Sequence, residues 1–296
     1  MSAPMAVSGA TKVYGIIGHP VAHSLSPLFQ AEFFRQFAID GVYVPFPVEP
    51  DRLDAALDGL AAIGVEGFNV TVPHKEAVHA RLSGDADAVA IGAVNTVRRA
   101  DGGWEATNTD WRGFAGVLEG MGIDAGAGEA LVFGAGGTAR AAIHALALAG
   151  TPAVHLCNRS PERLEALLRP ARSRYPGTRF ASVAWEQAAV TAAAAVCPVA
   201  INTTSIGLGE NPGPFPFRLA GEGVAIDAVY ARDAATPFGA AAGGRLAVDG
   251  LPMLVAQGAE SFAFWFPGHT PDRLSALRWL ERQLGRAEAP VCWRQP

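Results

Sequence analysis

Short apolar runs alternate with amphipathic stretches along most of this 296-residue chain. Val13-Tyr-Gly-Ile-Ile17 is a continuous apolar run that stops at Gly18, the pattern of a buried strand. Val42 to Val48, rich in Val, Tyr and Phe, predicts a second strand. From Asp51 to Ile63, Leu53, Leu57 and Leu60 recur at spacings of four and three, which predicts an amphipathic helix with Asp51 as its cap or first-turn acid. Gly67 to Val72 predicts a third strand, stopped by Pro73. Ala93–Arg98 and Trp104–Thr107 flank Asp101-Gly-Gly103, a hairpin signal.

After a helical stretch from Trp111 to Met121 the pattern changes. Ala130-Leu-Val-Phe133 predicts a strand, followed by a glycine turn at Gly134 and a small-residue helix from Thr138 to Ala149. Ala153–Cys157 is the next strand, and Pro161–Arg174 the next helix, with proline suited to its first turn. Val199–Ile201 and Val224–Ile226 are further buried strands. Strands alternating with helices imply an α/β fold with a parallel, doubly wound sheet. The chain ends in two predicted helices, Leu251–Phe266 and Pro271–Leu284, the second capped by Thr270. Two domains are expected: residues 1–110, and 111–249 as a Rossmann-type domain.

Composition narrows the class. Hydrophobic residues are 50% and charged residues 17%, enough for a large core. The net charge of −5, without a basic tract, argues against a nucleic-acid partner. Cys157, Cys197 and Cys292 are odd in number and lack CxxC spacing, which predicts neither a disulfide framework nor a zinc site. His19, His23 and His269 show no metal-ligand spacing, so no metal is expected. Met1–Thr11 has no basic start or apolar region of signal-peptide type, and the apolar stretch Ala188–Ile201 is too short to span a bilayer. A cytoplasmic protein without a membrane partner is expected.

The glycine turn carries the first chemical signal. Gly134-Ala135-Gly136-Gly137-Thr138-Ala139 follows a strand and opens a helix, with Gly134, Gly136 and Ala139 in the G-x-G-x-x-G/A spacing. The first glycine makes the turn, the second lets backbone approach a pyrophosphate, and the third small residue lets helix pack on strand. An NAD site wants an acid after the second strand. Here that strand runs into Asn158-Arg159-Ser160, with Arg163 one helical turn on. A guanidinium suits a ribose 2′-phosphate, so NADP is the expected cofactor.

Three clusters lie outside that domain. Ser24 and Ser26 fit either a helix cap or a cradle for a carboxylate. Asn69 and Thr71 share one strand face, with Lys75 just past the strand end. Asn108-Thr109-Asp110 closes another extended segment. Lys75 and Asp110 fit either a proton-transfer pair or ordinary surface charges.

Taken in order, Gly18-His-Pro-Val-Ala-His-Ser-Leu-Ser-Pro27, Asn69-Val-Thr-Val-Pro-His-Lys75, Gly92-Ala-Val-Asn-Thr96, Asn108-Thr-Asp110, the glycine turn, Asn158-Arg-Ser160, Asn202-Thr-Thr-Ser205 and Asp249-Gly-Leu-Pro-Met-Leu-Val-Ala-Gln257 resemble the signatures of the shikimate dehydrogenase family over residues 13 to 270. The resemblance implies NADPH-dependent, reversible reduction of 3-dehydroshikimate to shikimate, in the route to chorismate and the aromatic amino acids. It implies Lys75 and Asp110 as the catalytic pair. Ser24 and Ser26 would hold the substrate carboxylate with help from Tyr230. Asn69, Thr71, Asn95 and Gln257 would bind ring hydroxyls. Gly134, Ala135, Gly136, Gly137 and Thr138 would cradle the pyrophosphate, Asn158, Arg159 and Arg163 the adenosine phosphate, and Gly250 would lie by the nicotinamide. It also implies that residues 250–296 return to the first domain, with the active site in the cleft between domains. Family members occur as monomers and homodimers.

Two positions depart from the family pattern. His74 replaces a Phe and is expected to bring a polar group to the pocket rim. Pro252 replaces a Gly, which either stiffens the backbone near Gly250 or fits the first turn of the following helix. Rival readings are a quinate/shikimate or aminoshikimate dehydrogenase paralogue, and a non-catalytic NADP-binding sensor on the same scaffold. A relation to folate or glutamyl-tRNA reductases explains the glycine turn but not Ser24, Ser26 or Asn95.

Overall fold

The apolar run at Val13–Ile17 forms the middle of β1 (Lys12–Gly18), which lies between two parallel neighbours in a five-stranded sheet. The computed structural model describes residues 7–209, 213–231 and 235–293. Among them the chain divides into two units. One comprises the chain through Thr109 together with Gln257–Leu280. The other comprises Asp110–Ala256 and the described residues from Glu281 onward.

In the first unit β1 is followed by α1 (Ser26–Gln36), β2 (Gly41–Pro47), α2 (Leu53–Ala62), β3 (Gly67–Val70), α3 (Lys75–Leu82), α4 (Ala86–Ile91), β4 (Thr96–Ala100) and β5 (Gly103–Thr107). The sheet order is β2-β1-β3-β4-β5. The first three strands are parallel, and β4 and β5 join as the antiparallel hairpin expected at Asp101-Gly-Gly103. β3 is shorter than its sequence pattern. It ends at Val70; the Thr71 N–H still bonds Ile17, after which the Val72 carbonyl accepts from His19. Likewise β4 begins at Thr96 rather than Ala93. Gly92 closes α4 in the left-handed conformation, and the Val94 N–H is drawn to the Lys75 carbonyl.

The second unit contains α5 (Asp110–Gly120), β6 (Ala130–Phe133), α6 (Gly137–Leu148), β7 (Ala153–Cys157), α7 (Pro161–Arg174), β8 (Arg179–Val183), α8 (Gln187–Val196), β9 (Val199–Asn202), β10 (Val224–Asp227), α9 (Pro237–Ala240) and β11 (Leu246–Val248). Its sheet is parallel throughout, in the order β11-β10-β9-β6-β7-β8. In chain order that is 3-2-1-4-5-6 read from β8, the dinucleotide-binding arrangement. Both faces are covered, which is why its strands read as unbroken apolar runs. On β6, Ala130 and Val132 pack with Leu146 and Leu164 on one face. Leu131 and Phe133 pack with Val190, Phe215 and Phe238 on the other.

α10 (Leu251–Trp265) starts in the second unit and continues into the first, where α11 (Arg273–Gln283) follows. In the first unit α10 closes on α1 through an aromatic cluster: the ring centroids of Phe33 and Phe34 lie 5.6 and 5.7 Å from that of Phe262. Each fully buried Phe contributes on the order of 1.5–3 kcal/mol of hydrophobic stabilisation. The approach is close because Gly258 faces Phe29, where a Cβ would sit 2.2 Å from the ring.

Two terminal expectations are corrected. The return to the first unit covers Gln257–Leu280, not the whole of 250–296. The segment from Glu281 belongs to the second unit, where the Trp293 indole donates to the Gly116 carbonyl (2.6 Å) over the space left by Gly120. Finally, α11 is capped by Asp272, whose carboxylate accepts from Ser275 N–H (2.9 Å), and not by Thr270. No helix among the described residues is long and apolar enough to cross a membrane.

Candidate active site

Strand geometry at the carboxyl end of β3 places Asn69 in the buried interior of the first unit. Its Oδ1 accepts from Tyr43 Oη (2.8 Å), and its amide nitrogen lies 2.8 Å from Ser261 Oγ, 3.0 Å from Thr96 Oγ1 and 3.1 Å from the Asn95 carbonyl. Both amide hydrogens thus go to protein partners. Asn95 is fixed from the other side. Its Oδ1 accepts the Thr109 main-chain N–H at 2.7 Å and the Thr96 hydroxyl at 2.9 Å, so its Nδ2 faces Thr109 Oγ1 (3.0 Å) and Gln257 Oε1 (3.2 Å). Three of the expected substrate residues, Asn69, Asn95 and Gln257, are therefore joined in one buried polar network. Buried amides that are fully hydrogen-bonded hold a single orientation, since any rotation leaves an unmet donor.

Lys75 is the first residue of α3 and is half-buried. A cation at a helix N-terminus is opposed by the helix dipole, so helix stability does not explain a lysine there. Its carbonyl accepts the Val94 N–H at 2.9 Å, which ties it to the Asn95 segment. His74, just before it, is buried. Its Nε2 lies 2.7 Å from the Val48 carbonyl and must carry the proton there. The expectation that His74 enters a pocket rim is corrected: it pins the start of α3 to the end of β2. Thr71 is half-buried, its methyl lying where a Cβ on Gly18 would come within 2.4 Å. Ser24 Oγ accepts from the Ser26 N–H (3.2 Å) just ahead of α1; Ser26 is buried and Ser24 partly so. Asp110 follows Thr109 in the chain and opens α5, where it is buried and suits the positive helix end.

In the second unit the glycine turn has the shape that a pyrophosphate cradle needs. Gly134 has φ +113°, and a Cβ there would sit 2.4 Å from Thr203 Oγ1, so only glycine fits. Gly136, in extended backbone, caps the 12-residue α6; a Cβ on it would meet nothing within 4 Å. Open space thus lies over a helix N-terminus whose first N–H groups point outward. Ala135 is buried and Ala139 fully so, while Gly137 and Thr138 form the first turn of α6. These residues fit a dinucleotide pyrophosphate. Asn158 Nδ2 donates to the Ser160 carbonyl (2.9 Å), Ser160 caps α7 by accepting from the Arg163 N–H, and Arg159 and Arg163 are exposed. Gly250 bonds the Val229 carbonyl (2.9 Å) and lies so close to Ala228 that a Cβ would come within 2.5 Å of its carbonyl oxygen. Tyr230, half-buried, is next along that segment. Pro252 occupies the first turn of α10, where a missing N–H costs nothing.

Sequence reasoning missed several residues. Ser261, Thr96, Thr109 and Tyr43 complete the network; the signal available for Ser261 was its i+4 spacing from Gln257 on one helix. Asp227, the last residue of β10, is another. It is buried, and its Oδ1 accepts from Asn202 Nδ2 (2.8 Å) and the Val229 N–H (3.0 Å). Burial pushes its carboxyl up to about 6, against the hydrogen bonds that favour the anion. At the opposite strand ends Glu129, His155 and Cys197 converge, with ligand-capable atoms within 4.8 Å. The Glu129 oxygens are engaged by His155 (2.6 Å) and Arg179 (3.0 Å), and burial pushes the Cys197 thiol up to about 12. The cluster is therefore an ion-paired one.

The family model for the shikimate dehydrogenase substrate binding domain matches residues 16–97, and that for the shikimate 5'-dehydrogenase C-terminal domain matches residues 250–274. The shikimate dehydrogenase (NADP(+)) of Anaeromyxobacter sp. (strain K) is 40% identical over 94% of this chain and 99% of its own. The chain belongs to the shikimate dehydrogenase family. Among solved structures, the shikimate dehydrogenase of Aquifex aeolicus is 34% identical over 94% of this chain and all of its own, with a TM-score of 0.80. The shikimate 5-dehydrogenase of Thermus thermophilus, solved with NADP(H) and shikimate, is 35% identical over 93% of this chain and all of its own, with a TM-score of 0.77.

Proposed function

We propose that this chain catalyses the reversible, NADP-dependent interconversion of 3-dehydroshikimate and shikimate. The observation that carries the reading is the buried network in which Asn95 and Gln257 hold each other's amides, tied by one backbone bond to the segment bearing Lys75. A polyhydroxylated ring needs such fixed amides, because a site built to bond a hydroxyl strongly rejects analogues lacking it.

Bound NADPH supplies a hydride to the ketone carbon. The Lys75 ammonium donates a proton to the oxygen of that ketone, and in the reverse direction takes it from the C3 hydroxyl. Asp110 orients the same hydroxyl. Ser24 and Ser26 take the ring carboxylate, with Tyr230, while Thr71 and Gln257 hold the remaining hydroxyls. Asn69 and Asn95, whose amide hydrogens are spent on protein partners, serve the substrate by fixing Gln257. Gly134 to Thr138 receive the pyrophosphate, Asn158, Arg159 and Arg163 the adenosine 2′-phosphate end, and Gly250 the nicotinamide.

The test is absorbance at 340 nm with shikimate or quinate, each against NADP and NAD. Rapid NADPH formation from shikimate is the expected result. Turnover chiefly of quinate, or with NAD, moves the chain to the paralogue reading. NADP binding without turnover of any pair moves it to the sensor reading.

A further inference from the structure

Ser261 is completely buried on α10, one helical turn beyond Gln257. Its Oγ lies 3.0 Å from the Gln257 carbonyl, 2.8 Å from Asn69 Nδ2, 2.8 Å from Thr96 Oγ1 and 3.0 Å from Thr109 Oγ1. Thr96 and Thr109 are themselves 3.2 Å apart, so three hydroxyls form a closed triangle. A serine hydroxyl has one hydrogen to give and two lone pairs to receive with. Its hydrogen goes to the Gln257 carbonyl, and its lone pairs receive Asn69 and one of the threonines.

This arrangement fixes orientation in a definite order. The Thr109 main-chain N–H cannot turn, so it sets which end of the Asn95 amide is oxygen. Asn95 then presents nitrogen to Gln257, which must answer with Oε1. The Gln257 Nε2 is thereby directed away from Asn95. Ser261 holds the other side of the same unit: it locks the turn of α10 that carries Gln257 against β3 through Asn69, and it receives the hydrogen of Thr109, just past β5, because that of Thr96 goes to Asn95. A mis-set amide would present an acceptor where the donor should stand, so the network decides what chemistry Gln257 offers a ligand.

We infer that Ser261 is a positioning residue that sets the amide orientation of Gln257, and so tunes this site for a substrate ring hydroxyl that accepts a hydrogen bond. The inference rests on the proposed dehydrogenase function. It goes beyond it in assigning specificity to a side chain that meets no ligand.

The experiment compares wild type with Ser261→Ala, Ser261→Cys and Ser261→Thr in shikimate oxidation, and repeats each with 4-deoxyshikimate and 5-deoxyshikimate. Ser261→Cys keeps the volume and weakens the hydrogen bond; Ser261→Thr keeps the hydroxyl. Thermal melts establish which variants are folded. The expected result is a drop of roughly tenfold in kcat/KM for shikimate with Ala and with Cys, the size of one hydrogen bond. The KM for NADP should stay within about twofold, and Thr should recover most of the loss. On the deoxy analogue that lacks the hydroxyl held by Gln257, the Ala penalty should disappear. An equal penalty on all three substrates, or none on shikimate, overturns the positioning role. Absence of wild-type turnover of shikimate overturns instead the functional reading beneath it.

Discussion

The carbonyl of Lys75 accepts the main-chain N–H of Val94 at 2.9 Å, so the residue that opens α3 and the residue before Asn95 are held at a fixed spacing. Helix α3 therefore cannot shift without moving the polar network, and the network is itself anchored on β3, β4 and α10. That coupling puts Lys75 on a rigid mount, as the proton transfer proposed for it requires.

Replacing Lys75 with alanine should lower kcat by about 10²–10⁴-fold, the usual share of a general acid or base, with KM for shikimate changing far less. Steady-state kinetics decide it. An unchanged kcat removes Lys75 from the chemistry.

Arg159 is exposed beyond the end of β7, where a guanidinium can meet a ligand phosphate. The substitution Arg159→Ala should raise KM for NADP by roughly tenfold to a hundredfold, the worth of hydrogen bonds to a charged group, while leaving KM for NAD alone. Equal effects on both cofactors would assign the phosphate to another residue.

Asp227 gives a pH dependence of known sign. Its carboxyl is pushed up to about 6 in the folded chain by burial, from an ordinary 3.8. The folded state therefore favours the protonated form. The stability it contributes is complete below pH 3.8 and is lost as pH rises through 6. Asp227→Asn keeps the acceptor for Val229 and Asn202 without the titration. Measured by denaturant unfolding from about pH 4 to pH 7, wild type should lose on the order of 3 kcal/mol relative to the variant. Parallel pH curves for the two proteins would show that Asp227 does not titrate in this range.

Gly258 marks where α10 meets α1. A Cβ there would lie 2.2 Å from Phe29, which is completely buried and has nowhere to move. Gly258→Ala should cost about 1–3 kcal/mol by overpacking, seen as a lowered melting temperature. Gly59→Ala, where a Cβ meets nothing within 4 Å, is the control and should be near neutral or slightly stabilising.

Much of the second unit was legible beforehand because a parallel sheet covered on both faces writes itself as apolar runs. Ala130–Phe133, Ala153–Cys157 and the helix Pro161–Arg174 lie where their residues predict, as does the glycine turn, whose conformation at Gly134 tolerates no side chain. The strand Arg179–Val183 and the helix Gln187–Val196 were not read. One is a polar edge strand, and the other an alanine-rich stretch that runs into β9 without a change of hydrophobicity. Local chemistry also misjudged His74 and Thr270. Nothing nearby in sequence reveals that the Val48 carbonyl needs a donor, or that Asp272 is the better placed cap.

The sequence by itself determined the fold class and the glycine turn that opens α6, because each depends on residues a few positions apart. Tertiary structure alone decided how the buried amides of Asn69, Asn95 and Gln257 are turned. Asn69, Asn95, Thr109 and Ser261 stand far apart along the chain, and a hydrogen bond between them exists only once the sheet and α10 have closed. Orientation of a buried amide is a property of all its partners at once, so it is fixed by packing and not by any one segment.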